Sequence, residues 1–209
     1  MIKQHVFLTL FILMPGLLFG QAGDTTDYYP SGGVRAKGHV SQGVKSGLWT
    51  YFYPDGKVSA TENYEAGKLA GEILYYFPDG GMLGREQWKK GLLEDSAFYF
   101  HANGQPEKKG VYKLGQYAGQ WKFYFENGKL ERVVTYSHGV PEGPTYTFSD
   151  AGVLLQEGFY NSGMESGEWK FYDDAGRIRY VGRYENGKRT GVWFQYDRKG
   201  NAKNWKYKD

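Results

Sequence analysis

The side chains able to do chemistry are plentiful but scattered. The four histidines are His5, His39, His101 and His138. No H-x-x-x-H pair occurs among them, so their spacing offers no metal site. The chain has no cysteine, which removes disulfides, Cys-ligated zinc, a thiol nucleophile and lipid attachment at a lipobox. Ser166-Gly167 lacks the G-x-S-x-G elbow and the strand-to-helix context that a nucleophilic serine needs. Asp55, Asp79, Asp150 and Asp174 sit beside turn glycines, where an aspartate bonds its own nearby backbone. A carboxylate pair flanking a sugar bond would have to be assembled from distant segments. Nothing satisfies the requirements of an active site. The expectation is a protein that is not an enzyme, with no catalytic residue, no metal site and no cofactor.

Charge excludes another class of function. The chain carries 26 Lys and Arg against 23 Asp and Glu, and the two signs alternate along it. Nucleic-acid binding asks for a basic stripe, so no nucleic-acid partner is expected. Residues 1–22 read as an export signal. Lys3 gives a positive start, Val6 to Phe19 an apolar stretch, and Gly20 and Ala22 a small-x-small cleavage site. The apolar stretch is too short to span a bilayer, and no second one follows. The mature chain, residues 23–209, is expected to lack a transmembrane span and to reside in the periplasm or outside the cell.

What positions these residues is a repeat. Registered on its glycines, the sequence from Gly23 falls into ungapped 24-residue units starting at Gly23, Gly47, Gly71, Asp95, Gly119, Gly143, Gly167 and Gly191. Unit position 10 is glycine in all eight: Gly32, Gly56, Gly80, Gly104, Gly128, Gly152, Gly176 and Gly200. Unit position 6 is aromatic in all eight: Tyr28, Phe52, Tyr76, Phe100, Tyr124, Phe148, Tyr172 and Tyr196. Position 21 is a second invariant glycine, position 18 is Tyr or Trp from Tyr64 to Tyr184, and position 3 holds Trp49, Trp121, Trp169 and Trp193. Such periodicity marks a repeat architecture.

Each unit predicts two strands, exemplified by Leu48–Pro54 and Lys57–Glu65. Pro54-Asp55-Gly56, Asn127-Gly128 and Asp174-Ala175-Gly176 suit a type I turn closed by a left-handed glycine. A hairpin alone is marginal in water, so the units must pair side by side. The fold expected is all-β: an elongated, single-layer meander of antiparallel hairpins in eight units, with the aromatic rows at positions 6, 18 and 3 as its core.

The segment Asn186-Gly187-Lys188-Arg189-Thr190-Gly191, with Tyr184 before it and Tyr196 and Gly200 after it, resembles the MORN signature. So does Ala66-Gly67-Lys68-Leu69-Ala70-Gly71, with Tyr64, Tyr76 and Gly80. Tryptophan at position 3, where the standard unit has glycine, makes this the variant form, similar to the bacterial YwqK-type antitoxin family. The resemblance implies a hairpin array used as a protein-interaction scaffold, and the antitoxin label implies neutralisation of a partner toxin in the cytoplasm; with the export signal, the alternative is an exported antitoxin or immunity protein. Glycan or cell-envelope binding is the competing reading, because Tyr and Trp faces stack on sugars. A protein partner, or else an envelope glycan, is therefore expected, with Trp49, Trp121, Trp169, Tyr172, Trp193 and Tyr196 as the candidate binding residues.

Overall fold

The computed structural model describes residues 22–206; the expected export signal lies outside them. Within that span the chain is a single sheet of 18 strands, with no helix among the described residues. It starts with Gly23–Tyr28, Val34–Ser41, Val44–Phe52 and Val58–Glu65. Each strand pairs antiparallel with its sequence neighbour, and the same alternation runs on to Lys188–Tyr196 and Ala202–Trp205. Two strands are interrupted, as Lys68–Leu69 with Gly71–Tyr76 and as Leu92–Leu93 with Asp95–Phe100. The sheet is an open meander, as the turn chemistry predicts.

The hairpin turns form as expected. At the first, Tyr53 N donates to Lys57 O at 2.8 Å and Gly56 N to Tyr53 O at 2.9 Å. Gly56 takes φ +86°, a conformation that costs glycine nothing. Asp55 Oδ1 accepts from Lys57 N at 3.1 Å. The second turn has two left-handed residues, Ala66 at φ +47° and Gly67 at φ +76°, the two-residue type I′ geometry that matches strand twist. Gly67 N also donates to Lys45 O in the neighbouring turn at 3.0 Å, a bond repeated down the row to Gly187 N and Glu165 O.

Two expectations need correcting. The first strand of a unit begins before the unit glycine: Val44–Phe52 runs straight through Gly47, which bends it at φ +66°. Secondly, position 6 is not the core. Side chains alternate between faces, so positions 3 and 5 lie on one face and positions 4 and 6 on the other. Phe52, Tyr76, Phe100, Tyr124 and Phe148 are only half-buried, and Tyr28 is exposed. They share their face with charged stems, such as Lys37 Nζ 5.2 Å from the Phe52 ring and Lys109 Nζ 5.5 Å from Tyr124. The buried row is position 3: Trp49, Ile73, Ala97, Trp121, Thr145, Trp169 and Trp193, between 0% and 5% exposed.

Candidate binding face

A one-layer sheet can bury a tryptophan only by laying it flat, and flat packing needs a neighbour without a Cβ. Each Trp at position 3 lies over the position-16 residue of the preceding unit, and under every Trp that residue is glycine. A Cβ on Gly38 would stand 2.5 Å from Trp49, on Gly110 2.3 Å from Trp121, on Gly158 2.1 Å from Trp169, and on Gly182 2.0 Å from Trp193. Where position 3 is smaller, position 16 is larger: Glu62 precedes Ile73, Glu86 precedes Ala97, and Val134 precedes Thr145.

Flanking rings seal the indoles edge-on. Trp49 meets Tyr64 at 6.3 Å, Trp121 meets Tyr112 at 5.0 Å, and Trp169 meets Tyr160 at 5.4 Å and Tyr184 at 5.7 Å. Edge-to-face contacts of this kind suit the ring quadrupole. Trp49 Nε1 donates to His39 O and Trp121 Nε1 to Val111 O, both at 3.0 Å. The four tryptophans expected to bind a partner are thus 0–2% exposed and offer no ring face. Of the six candidates only Tyr172 and Tyr196 remain partly accessible, and both lie on the opposite face. Tyr172 donates from its hydroxyl to Glu157 Oε1 at 2.7 Å. Burial, then that carboxylate, pushes its phenol up to about 12.

The two carboxylates that replace glycine at position 16 organise a polar cluster on the tryptophan face. Glu86, 8% exposed, accepts from Trp88 Nε1 at 2.8 Å, Tyr75 Oη at 3.2 Å and Tyr99 Oη at 2.5 Å. Glu62 accepts from Tyr64 Oη at 2.5 Å, Tyr64 lies 3.1 Å from Tyr51 Oη, and Lys45 Nζ donates to Tyr51 Oη at 2.5 Å. Burial first, and these hydrogen bonds and carboxylates after it, raise the phenols of Tyr51, Tyr75 and Tyr99 far above the usual tyrosine value. Tyr112 is pushed up to about 12, again mainly by burial. These phenols stay neutral donors throughout the physiological range.

The tryptophan face has one gap between its ends. In the strand Val140–Phe148 positions 3 and 5 are Thr145 and Thr147, where the equivalent strands of the adjacent units place Trp121 with Phe123 and Trp169 with Phe171. Strand pairing sets out the surroundings. Arg132, Thr147 and Gln156 stand in one row across three strands; Val134, Thr145 and Gly158 form the next. Tyr136 and Tyr160 close the far side, opposite Pro141 and Gly143 respectively. The result is a groove of about 330 Å³ lined by Arg132, Thr145, Thr147, Gln156, Tyr160 and Trp169 among others. The Thr145 hydroxyl donates to Val133 O at 3.0 Å, leaving its lone pairs to accept. Arg132 is spread over Phe123 at 4.6 Å.

Sequence reasoning missed this groove and the glycines beneath the tryptophans. The signal was present as a fixed spacing of eleven residues: Gly38 to Trp49, Gly110 to Trp121, Gly158 to Trp169, Gly182 to Trp193. The histidines take unrelated local roles. His39 Nδ1 lies 3.0 Å from Asp24, His101 Nε2 2.9 Å from Tyr124 O, and His138 Nδ1 3.0 Å from Ser137 Oγ.

Three segments match the MORN repeat variant: residues 45–66, 118–138 and 165–188. Each spans one hairpin and includes a buried tryptophan, Trp49, Trp121 or Trp169. No curated protein matches the chain. Among solved structures, the chain is similar to part of the GtfA/B complex bound to UDP and GlcNAc, at 17% identity over 73% of this chain and 27% of that one, with a TM-score of 0.22. It is also similar to part of TcdB2-TccC3-Cdc42, at 10% identity over 87% and 14%, with a TM-score of 0.18. The chain spans less than a third of either, and at these scores the likeness carries no argument about function.

Proposed function

We propose that the chain is an exported, non-catalytic scaffold that docks a partner protein on its tryptophan face. The observation that carries this reading is the flank of rings above the sealed tryptophans. Tyr64, Trp88, Tyr112, Tyr136, Tyr160 and Tyr184 are half-exposed, with no second layer over them among the described residues. Tyrosine and tryptophan dominate interface hot spots, and rings already held by edge contacts lose little freedom on binding. A repeat array presents them as one extended surface. Export is supported by the composition of residues 1–22. The antitoxin resemblance implies neutralisation of a toxin in the cytoplasm; joined to export, that form of docking becomes an exported immunity protein that neutralises a toxin outside it.

The test uses the purified chain as bait for envelope and secreted proteins, beside two variants whose fold is verified by circular dichroism. Tyr64→Lys with Tyr184→Lys charges the ring flank. Leu48→Lys with Val192→Lys charges the opposite face, where both residues are 58% exposed. A partner held by the wild type and the second variant but lost from the first supports the reading. Equal capture by all three, or none by any, rejects it. An alkaline phosphatase fusion to residues 1–22 should be active outside the cytoplasm; an inactive fusion removes the export element.

A further inference from the structure

We propose that the groove over Thr145 is a binding site for one pyranose ring of a saccharide, seated against Tyr160 and the Trp169 edge and hydrogen-bonded by Arg132, Thr147 and Gln156. The argument is an internal comparison of one unit with its neighbours. The equivalent strands of the units before and after, each one strand further out in the sheet, place aromatics at positions 3 and 5, as Trp121 with Phe123 and Trp169 with Phe171. In the strand between them both positions turn polar together, and Gln156 joins Thr147 in the same cross-strand row. Three polar side chains grouped inside an aromatic face do not improve the packing of a sheet. They leave a groove of about 330 Å³, at the small end of ligand sites, which run from about 300 to 1,000 Å³.

The lining selects the ligand. A pyranose has an apolar C–H face and a rim of hydroxyls. It needs ring surfaces on one side and planar hydrogen-bonding groups on the other. Tyr136 and Tyr160 supply ring surface, Trp169 contributes only an edge, and Arg132, Gln156, Thr145 and Thr147 supply donors and acceptors. Burial raises the phenols of Tyr136 and Tyr160, although nearby Arg132 opposes it, so both hydroxyls remain donors at neutral pH. Arg132, fixed over Phe123, adds a positive charge that favours a carboxylate-bearing sugar over a neutral one. The groove shares Tyr136 and Tyr160 with the ring flank, but Tyr64 and Tyr184 do not line it, so the Tyr64→Lys, Tyr184→Lys variant that tests docking keeps every lining side chain and the two readings fail separately.

The experiment is saturation-transfer NMR on the purified chain with three tetrasaccharides, of β-1,4-glucose, β-1,4-N-acetylglucosamine and α-1,4-galacturonate, followed by Trp fluorescence titration. At least one saccharide should bind. Arg132→Ala and Gln156→Ala should each weaken it by about tenfold or more, with galacturonate the more sensitive to Arg132. The decisive variant is Val134→Gly with Thr145→Trp, which copies the Gly182 and Trp193 pair and fills the groove. It should keep the wild-type circular dichroism and lose the saccharide. If it does not fold, Thr147→Phe, which copies Phe123 and Phe171, gives the same reading. No transfer to any of the three at about 10 mM, or binding that survives the filled groove, overturns the proposal.

Discussion

Trp193 lies flat on Gly182, so close that a Cβ on the glycine would stand 2.0 Å from the ring. The indole is 1% exposed, in a sheet with no second layer over it among the described residues. The covering comes from within the sheet: Tyr184 edge-on at 5.2 Å, Phe171 at 6.0 Å and Trp205 at 5.9 Å. Trp205 reaches this face because the last hairpin lacks the register shift found in the others. Trp193 pairs with Trp205, whereas Trp169 pairs with Gly182, one unit position further on. A one-residue change of register moves a side chain to the other face, and here it puts a ring over the end of the row.

The first prediction follows from that contact. Gly182→Ala should destabilise the chain by about 1–3 kcal/mol, the usual cost of overpacking. The atoms in the way all belong to the Trp193 indole, a rigid ring that is itself buried and so does not yield cheaply. Gly182→Val combined with Trp193→Thr copies the Val134 and Thr145 pair already present in the chain. The double variant should therefore lose much less than the sum of its singles. Urea unfolding midpoints at constant m-value measure both, and additive losses would show that the pair is not coupled.

A second prediction concerns Glu86, whose carboxylate gathers Tyr75, Trp88 and Tyr99. Glu86→Ala strands three donors on a partly buried face. Hydrogen bonds to charged groups contribute about 1.5–3 kcal/mol each, and they are not additive. A loss of about 3 kcal/mol is expected. Glu86→Gln keeps one acceptor oxygen but turns an amide N–H₂ toward a phenol, so it should fall between wild type and alanine. A glutamine variant as stable as wild type would mean that the cluster does not need the charge.

Third, the sheet should fail in alkali. Tyr51, Tyr64, Tyr75, Tyr99, Tyr112, Tyr136, Tyr160 and Tyr172 all have phenols raised above the ordinary value of 10.0 by burial. A group whose folded pKa lies above its unfolded one contributes stability that is complete below the unfolded pKa and is lost as pH rises through the folded one. The stability window therefore closes from about pH 10 upward. Phenolate absorbance should show one early fraction from exposed tyrosines and a late fraction rising together with loss of the β-sheet circular dichroism. Smooth titration of all tyrosines near pH 10, with the sheet intact, would contradict the burial.

Much of the fold was legible because its determinants are local. Turn glycines, Asp55 and Asn127 announce the hairpins, and the 24-residue period announces side-by-side pairing. Of the rows expected to form the core, position 3 is buried and position 6 was misplaced, because periodicity reports recurrence and not depth. Position 6 recurs as an aromatic without exception yet faces the charged side, while position 3 varies from Trp121 to Ala97 and is the buried row. The variation makes sense only when position 16 of the previous unit is considered with it, since strand pairing brings the two together. The candidate binding tryptophans were misread for the same reason: a glycine eleven residues upstream is what lets each ring lie flat. The groove over Thr145 was hidden because it is a departure from the repeat, which a search for recurrence passes over.

The last prediction uses two other departures. The unit glycines Gly47, Gly71, Gly119, Gly167 and Gly191 all take positive φ, and Asp95 in the same place is forced to φ +70°. Leu114 sits at φ +52° as the first residue of a type I′ turn, 66% exposed, where asparagine or glycine is preferred. The left-handed conformation costs an ordinary L-residue roughly 1–2 kcal/mol, with aspartate penalised least because its short side chain can bond locally. Asp95 does so, accepting from Ser96 Oγ at 3.1 Å. Leu114→Asn should therefore stabilise the chain by about 1 kcal/mol and Asp95→Gly by less, since glycine also adds freedom to the unfolded chain. Neither position lines the groove, so saccharide binding should be unchanged in both; Asp95 stands opposite Tyr112 of the ring flank, so partner capture is compared in Leu114→Asn. Thermal and urea midpoints raised in the order Leu114→Asn, then Asp95→Gly, then wild type would support the account. A destabilised Leu114→Asn would show that the leucine makes a contact in the folded array worth more than the strain it carries.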